Sequence, residues 1–253
     1  MKLLRDTWLV FGRYFQLFIS NPAWVAIGVI QPFLYVVLFA PLLKQIASMP
    51  GFPRGGAYNV FVPGLLIQLG MFGAAGVGFG LIAELRSGVI ERFRVTPVSR
   101  VALLLGRALR DILTLIIQAL VLLLVSIPFG LRFELVPVLV VLGLVALIGL
   151  TIASVAYACA LWLKSEDSYA PLIFTATLPL LLLSGVLLPL SFAPDWLRQI
   201  AALNPLSYAV TAARDLFNNH GGDPEVVKGL AIMAVLAVVG LVLAVRQFGR
   251  AVA

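Results

Sequence analysis

The sequence predicts an all-helical integral membrane protein, and three observations support this fold class. Of the 253 residues, 62% are hydrophobic and only 11% are charged, which is more apolar surface than a soluble domain can bury. Charge-free windows of about 20 residues, the length at which a helix spans a bilayer core, recur along the chain. The charged residues fall mainly between these windows. Soluble enzymes, disordered chains and disulfide-stabilised domains are therefore excluded as classes.

Six windows qualify as transmembrane helices. Five are long, and they cover residues 14–43, 55–83, 112–131, 135–163 and 168–194. The sixth, 229–245, has 17 residues, but Val226 and Val227 extend it past Lys228, whose long side chain can reach the interface. The whole chain, 1–253, is thus predicted to form a single transmembrane domain.

Lysine and arginine residues predict the orientation of these spans. If the N-terminus is cytoplasmic, twelve of the 18 Lys and Arg residues lie on the inner side and six on the outer side, as the positive-inside rule requires. Six of the inner twelve lie between the second and third spans. We therefore expect a multi-pass protein of the inner (plasma) membrane with both termini in the cytoplasm. Because the basic residues are scattered between apolar blocks, no nucleic-acid partner is expected.

The first 20 residues predict an interfacial helix with a polar and an apolar face. The polar residues, at near-helical spacing, are Lys2, Arg5, Asp6, Arg13 and Gln16. The apolar residues are Leu4, Trp8, Phe11, Phe15 and Phe18. Such a helix can lie in the headgroup region. The alternative is that residues 1–20 simply begin a long first helix.

A second amphipathic region, the outer segment 191–225, precedes the last span. Within it, the uncharged stretch 199–213 is too short to cross a bilayer and is interrupted by Asn204-Pro205, which disfavours a continuous helix. This pattern predicts an extracellular re-entrant hairpin. Trp196 and Tyr208 are aromatic residues of the kind that anchor at the membrane interface.

The predicted spans contain almost no ionisable side chains. Arg110, Asp111 and Glu134 fall at span ends, so proton-driven transport and membrane enzymes that need paired carboxylates are disfavoured. The chain has no G-x-x-x-x-G-K-[ST] phosphate loop, and Cys159 and His220 are its only cysteine and histidine. We therefore expect no catalytic site, metal or other cofactor on this chain.

Two motifs carry a resemblance to a known family. The first, ELRSGVIERFRVTPVSR at 84–100, predicts a polar helix interrupted by Gly88, a turn at Thr96-Pro97 and a new helix from Ser99. The second is WLRQIAALNPLSYAVTAARDL at 196–216. Together with the six spans, they resemble the type-2 ATP-binding-cassette (ABC) exporter permeases, above all the daunorubicin-resistance type, with polysaccharide and lipo-oligosaccharide exporters as neighbours. The matching positions are Glu84, Gly88, Glu91, Thr96, Pro97, Ser99 and Arg100 in the first motif, and Asn204, Pro205, Tyr208 and Arg214 in the second.

The resemblance implies that 84–100 forms a cytoplasmic coupling helix, which fits a groove on a separate ATPase subunit. Two copies of that ATPase would bind ATP and Mg. The coupling residues would be Glu84, Arg86, Gly88, Glu91, Arg92, Phe93, Thr96 and Pro97. Val89, Ile90 and Phe93 could anchor in an apolar pocket of the partner, while the charged residues fix the register. The simpler alternative is a solvated loop that its arginines hold inside.

The resemblance also implies that the second and fifth spans line the substrate path or the dimer interface. The candidate residues are Gln68, Gly73, Gly76, Gly80, Thr175 and Pro179. Small residues at four-residue spacing let helices approach closely, so tight packing without motion is an equal alternative for the glycines. The outer hairpin would form an external gate, with Trp196, Asn204, Pro205 and Tyr208.

The expected function is that of a non-enzymatic permease subunit of an ATP-driven exporter. It would pair with a second copy, or a close relative, and move a hydrophobic or amphipathic substrate, such as a drug, a lipid or a lipid-linked glycan, out of the cytoplasm while in contact with membrane lipids. The alternative is a membrane protein that does not depend on ATP, such as a lipid scramblase or an assembly factor.

Overall fold

The computed structural model describes residues 2–20, 23–39, 56–90, 98–132, 134–187, 189–218 and 221–251, and these contain helices and turns but no strand. The all-helical prediction is confirmed. The helices are α1 (Lys2–Ile19), α2 (Ala23–Leu34, followed by a π-helical turn, Tyr35–Phe39), α3 (Ala57–Ala75), α4 (Val77–Arg86), α5 (Arg100–Ser126), α6 (Leu135–Leu163), α7 (Glu166–Leu182), α8 (Asp195–Ala201), α9 (Pro205–Phe217) and α10 (Pro224–Ala251). Short 3-10 turns, Ile127–Phe129 and Leu190–Phe192, follow α5 and precede α8.

Four helical stretches of the described chain are long and apolar enough to cross a membrane. They are Ala57–Arg86, Arg100–Phe129, Leu135–Leu163 and Pro224–Gly249, and they correspond to the second, third, fourth and sixth predicted spans. The first predicted span, 14–43, runs beyond the described residues at 40–43. In the fifth, α7 has 17 residues and ends at Leu182. The protein is thus a multi-pass membrane protein, and the count of six spans stays a prediction.

Helix α1 packs along the first part of α5. A side-chain carbon at Gly106 of α5 would lie only 2.7 Å from Val10 Cγ1 and 2.9 Å from the Phe11 backbone nitrogen, so the glycine permits this close approach. The buried face of α1 consists of Asp6, Thr7, Val10 and Tyr14.

Asp6, which the sequence places on the polar face of α1 with Lys2 and Arg5, differs from these residues in being only 4% exposed against the bundle. The sequence pattern has two faces, whereas the docked helix has three: one against α5, one apolar and exposed, and one charged. Leu4 and Trp8 remain exposed, as a membrane-facing surface requires. Helix α1 ends at Ile19, before α2 begins at Ala23.

The second predicted span is broken toward its C-terminal end, where α3 ends at Ala75 and α4 begins at Val77. The Tyr169 hydroxyl, from the first turn of α7, donates a 2.6 Å hydrogen bond to the Ala75 carbonyl. A side-chain carbon at Gly78 would overlap the Tyr169 ring. Tyr169 thus supplies a partner to a carbonyl at the break, which lipid could not do.

Hydrogen bonds show which segments share an end of the bundle. At one end, here called the inner end, Arg100 Nη1 donates to the Gly249 carbonyl at 2.8 Å, so the start of α5 and the end of α10 lie together. At the opposite, outer end, Asn59 Nδ2 donates to the carbonyls of Arg132 (3.1 Å) and Phe217 (3.0 Å). These bonds join α3 and α9 to the connection that follows α5.

We expect Gly106→Ala to destabilise the fold and Gly143→Ala to leave it unchanged or stabilise it. Both glycines lie inside long helices, where alanine is favoured by about 1 kcal/mol. Gly143, however, has no atom within 4 Å of the added carbon. At Gly106 the overlap with α1 should outweigh this gain, since overpacking costs about 1–3 kcal/mol. Thermal unfolding in detergent measures the difference, and equal melting temperatures for the two variants would contradict the docking of α1 on α5.

Candidate functional site

The predicted coupling segment begins at the end of α4 and runs into the start of α5. Gly88 adopts a φ of +68°, a left-handed conformation that suits glycine just after a helix. Ser99 caps α5, as predicted, because its hydroxyl oxygen accepts a 3.0 Å hydrogen bond from the Ala102 backbone nitrogen. Residues 91–97 lie outside the described residues, and with them the predictions for Glu91, Arg92, Phe93, Thr96 and Pro97.

An ion pair joins the two helices that flank this segment. Arg107 Nη1 of α5 lies 2.9 Å from Glu84 Oε2 of α4, and the side chains are 5% and 21% exposed. Removal from water strengthens the attraction between such charges and also makes an unpaired partner costly. The pair therefore fastens the base of the 87–99 connection to the bundle.

Tyr14 attaches helix α1 to the same ion pair. Its hydroxyl donates a 2.8 Å hydrogen bond to Glu84 Oε2, and the Arg107 guanidinium carbon lies 5.1 Å from the centre of its ring, within the range of a cation–π contact. The Tyr14 side chain is buried, so water does not compete for either contact. Glu84 thus accepts hydrogen bonds from both Tyr14 and Arg107.

A second pair of charges extends the site toward α6. Arg110 Nη1 lies 3.1 Å from Asp111 Oδ1, and the Tyr157 hydroxyl of α6 donates to Asp111 Oδ2. The Arg107 guanidinium carbon lies 5.8 Å from the centre of the Tyr157 ring. We refer to Tyr14, Glu84, Arg107, Arg110, Asp111 and Tyr157 as the inner charge cluster. Its two arginines and two carboxylates balance in formal charge, as a buried ionic group requires.

The inner charge cluster is suited to mechanical linkage. Its side-chain contacts join α1, α4, α5 and α6 next to the described ends of the 87–99 connection. Among the residues that the structure describes, no three His, Cys, Asp or Glu side chains are placed to hold a metal ion together.

The sequence analysis missed this cluster. It counted Arg107 among the charges between the second and third spans, placed Arg110 and Asp111 at a span end, and predicted no partners for them. In the structure Arg107 and Asp111 are each 4% exposed, on the helix predicted to start near Ser99. A predicted span that is defined as a charge-free window starts only after the nearest charged residue. Such a window therefore excludes any buried ion pair from the predicted span. The spacing of Arg107 and Asp111 did indicate that they lie close together, because residues four apart share one helix face.

Two of the predicted coupling residues face inward. Glu84 is engaged in the inner charge cluster, and Ile90 is 5% exposed, so the prediction that Ile90 anchors in a partner's pocket is wrong. Ile90 instead lines a small internal cavity. The other residues around this cavity are Tyr14, Glu84, Leu103, Leu104, Arg107 and Phe248. Arg86, in contrast, is exposed and forms a long, 4.0 Å ion pair with Glu166.

The residues predicted for the substrate path or dimer interface differ in their exposure. Gln68 is 2% exposed within the subunit. The glycines at 73, 76 and 80 are exposed at helical spacing along α3 and α4, and Thr175 and Pro179 are exposed on α7. A side-chain carbon at Gly73 would lie 2.5 Å from Leu115 Cδ2, and one at Gly80 would lie 3.7 Å from Arg107 Nη2, so these two glycines face α5 of the same subunit. At Gly76 the added carbon would meet only atoms of α3 itself.

The four residues predicted for the external gate lie in and around α8 and α9. Trp196 is exposed on α8. Asn204 caps α9, since its Oδ1 accepts from the Leu206 backbone nitrogen at 3.0 Å, and its Nδ2 donates to the Leu180 carbonyl at 2.7 Å. Pro205 occupies the first position of α9. The Tyr208 hydroxyl donates to the Ala202 carbonyl at 2.9 Å. The predicted break at Asn204-Pro205 is present, and membrane re-entry stays a prediction.

Comparisons with known proteins agree on one family. A family model described as "ABC-2 type transporter" matches residues 5–218. The chain is similar to two proteins named "Putative transport permease ycf38": it is 31% identical to that of Pyropia yezoensis, covering 79% of this chain and 69% of the relative, and 29% identical to that of Porphyra purpurea, covering 86% and 76%. It is 24% identical to the "Daunorubicin resistance ABC transporter permease protein DrrB1" of Streptomyces coeruleorubidus, covering 87% and 77%.

We expect Glu84→Gln to destabilise the protein far more than Arg86→Gln does. The first substitution leaves Arg107 buried without its counter-charge, which costs about 3 kcal/mol or more. The second removes an exposed pair worth about 1 kcal/mol at most. The double variant Glu84→Gln, Arg107→Gln should recover part of the loss, because no unpaired charge remains. Thermal unfolding in detergent measures all three, and additive losses in the double variant would show that the two side chains are not coupled.

Proposed function

The chain belongs to the ABC-2 type transporter family, and from this premise we propose that it is the permease subunit of an ATP-driven exporter. As a permease of this family it is a multi-pass membrane transport subunit. In the proposal, a separate ATPase binds ATP and Mg, and this chain converts the closure of that ATPase into movement of its helices. The sequence carries no phosphate loop of its own, which supports a division of labour between two polypeptides.

The observation that carries the proposal is the attachment of the 87–99 connection to the bundle. The Glu84–Arg107 ion pair spans the base of this connection at 2.9 Å, and Tyr14 and the Arg110–Asp111 pair extend the contact to α1 and α6. A force applied by a partner at the connection would therefore act on several helices at once. A loop that served only to join two spans would not need a buried ionic linkage, which stabilises little by itself.

A second copy of the chain completes the proposed transporter. At Gly76 no atom of another helix lies within 4 Å of an added side-chain carbon, so a neighbouring helix could approach closely there. Helix α7 offers an apolar surface with Leu172, Phe174 and Leu178 exposed. Closed two-fold pairing is the commonest way to cover such surfaces. In the proposal, the substrate path lies between the two copies, each of which is served by one ATPase subunit.

The proposed substrate is hydrophobic or amphipathic. The large exposed side chains of α7, which include Leu172, Phe174 and Leu178, are apolar and would favour such a substrate over a small polar solute. The printed name of the Streptomyces relative refers to resistance against daunorubicin, and a drug, a lipid or a lipid-linked glycan would each fit such a surface.

The proposed location is the plasma membrane, with the inner end of the bundle in the cytoplasm. Helix α1, the two ends of the 87–99 connection and Gly249 share this end, as the bonds from Tyr14 to Glu84 and from Arg100 to Gly249 indicate. The excess of Lys and Arg residues on the same side supports the orientation.

We expect Glu91→Ala combined with Arg92→Ala to weaken binding of the partner ATPase by about tenfold or more, since close interfacial charge pairs contribute about 1.5 kcal/mol or more. The measurement is co-purification and ATPase stimulation after co-expression with each candidate ABC ATPase of the source genome. Arg198→Ala, on exposed helix α8 at the outer end, is the control and should bind normally.

The same preparations test the alternative function. If liposomes that contain only this chain translocate fluorescent phospholipids without ATP, and the Glu91 and Arg92 substitutions change neither ATPase binding nor transport, the protein is a passive scramblase and the exporter proposal fails.

A further inference from the structure

The outer end of α7 is unwound within the bundle. The helix ends at Leu182, and a turn at 183–187 follows, in which Gly185 has a φ of +76°. Unwinding frees backbone carbonyls that an apolar environment cannot solvate. Two of them, those of Gly185 and Val186, belong to buried residues.

Arg214 of α9 supplies the donors for these carbonyls. Its Nη2 lies 2.8 Å from the Gly185 carbonyl oxygen and 3.1 Å from that of Val186. Its Nε donates to the Val60 carbonyl of α3 at 2.8 Å. One guanidinium therefore joins α3, the unwound end of α7 and α9.

The surrounding residues are shaped for this contact. A side-chain carbon at Gly64 of α3 would lie 2.9 Å from the Val186 carbonyl oxygen, so glycine is needed for the turn to approach α3. The planar guanidinium donates in several fixed directions, which an ammonium group on a flexible chain does not reproduce. Arg214 and Gly64 thus both contribute to the junction of α3, the turn at 183–187 and α9.

Helix α7 has few other means of attachment. Much of it is exposed, including Leu172, Leu178 and Leu182. Its polar contacts lie at its two ends: Tyr169 bonds the Ala75 carbonyl near the inner end, while Arg214 and Asn204 bond the carbonyls of the outer end. The position of the outer end therefore depends on these side-chain donors.

We propose that Arg214 is a positioning residue that holds the outer end of the permease closed by clasping the unwound end of α7 against α3. This inference rests on the proposed function, in which the chain forms a transport path, and on the sequence prediction that the outer segment gates that path. When the hydrogen bonds of Arg214 break, the turn at 183–187 moves away from α3 and the junction becomes accessible to water. A cation bonded to neutral carbonyls suits a contact that opens and closes, because water can replace those carbonyls as partners.

The test measures how fast a water-soluble maleimide reaches the junction. Cys159 is the only cysteine, so Cys159→Ala gives a background in which Ser184→Cys places a thiol in the buried turn. The full chain is reconstituted in nanodiscs, where both membrane faces are accessible. Arg214→Gln should raise the labelling rate of the thiol at position 184 by about tenfold or more, as expected when charge-assisted hydrogen bonds are lost, and Arg214→Lys should give an intermediate rate.

Two controls separate gate opening from unfolding. Arg198→Gln, which removes a neighbouring exposed arginine, should leave the labelling rate at position 184 unchanged. A second reporter, Gly249→Cys at the inner end, should be labelled equally with and without Arg214→Gln. An unchanged rate at position 184 in Arg214→Gln, or equal increases at both reporters, would overturn the inference. The assay contains neither ATP nor ATPase, so its outcome is independent of whether the chain couples to an ATPase.

Discussion

Lipid offers no hydrogen bonds, and the architecture of this chain depends on that constraint. At two interruptions within the described part of the bundle, a side chain from another element takes the place of water. Tyr169 bonds the Ala75 carbonyl at the break in the second span. Asn204 bonds the Leu180 carbonyl near the end of α7, and Arg214 bonds two carbonyls beyond it. The interruptions are therefore stable, and each one is also a point of attachment between helices.

The inner charge cluster lies at the inner end, where buried charges likewise need protein partners in place of water. Arg107 and Asp111 are buried, and each is held by an opposite charge and by a tyrosine. Such a cluster adds little net stability compared with an apolar core, but it specifies which helices meet and at what register. The outer junction at Arg214 and the inner charge cluster thus place polar linkages at the two ends of a largely apolar bundle.

The sequence predicted the spans best where apolar windows are long and uninterrupted. The windows 135–163 and 229–245 fall within helices of the structure, and the interruption at Asn204-Pro205 was visible because proline restricts its own residue and the one before it. The sequence predicted the bounds of a helix less well where the helix extends beyond its apolar window. Arg107 and Asp111 fell outside the third predicted span because a charge ends a hydrophobic window, although a helix can stay buried past a charge that has a partner.

The sequence alone determined that this is an all-helical membrane protein and indicated the family to which it belongs, since these follow from composition, periodicity and local motifs. Only the tertiary structure decided which polar side chains are partners. Tyr14 and Glu84 are 70 residues apart, and Arg214 and Val60 are 154 apart. No local pattern relates such positions, because their meeting depends on how helices cross, and those crossings are set by close contacts such as those of Gly64, Gly78 and Gly106.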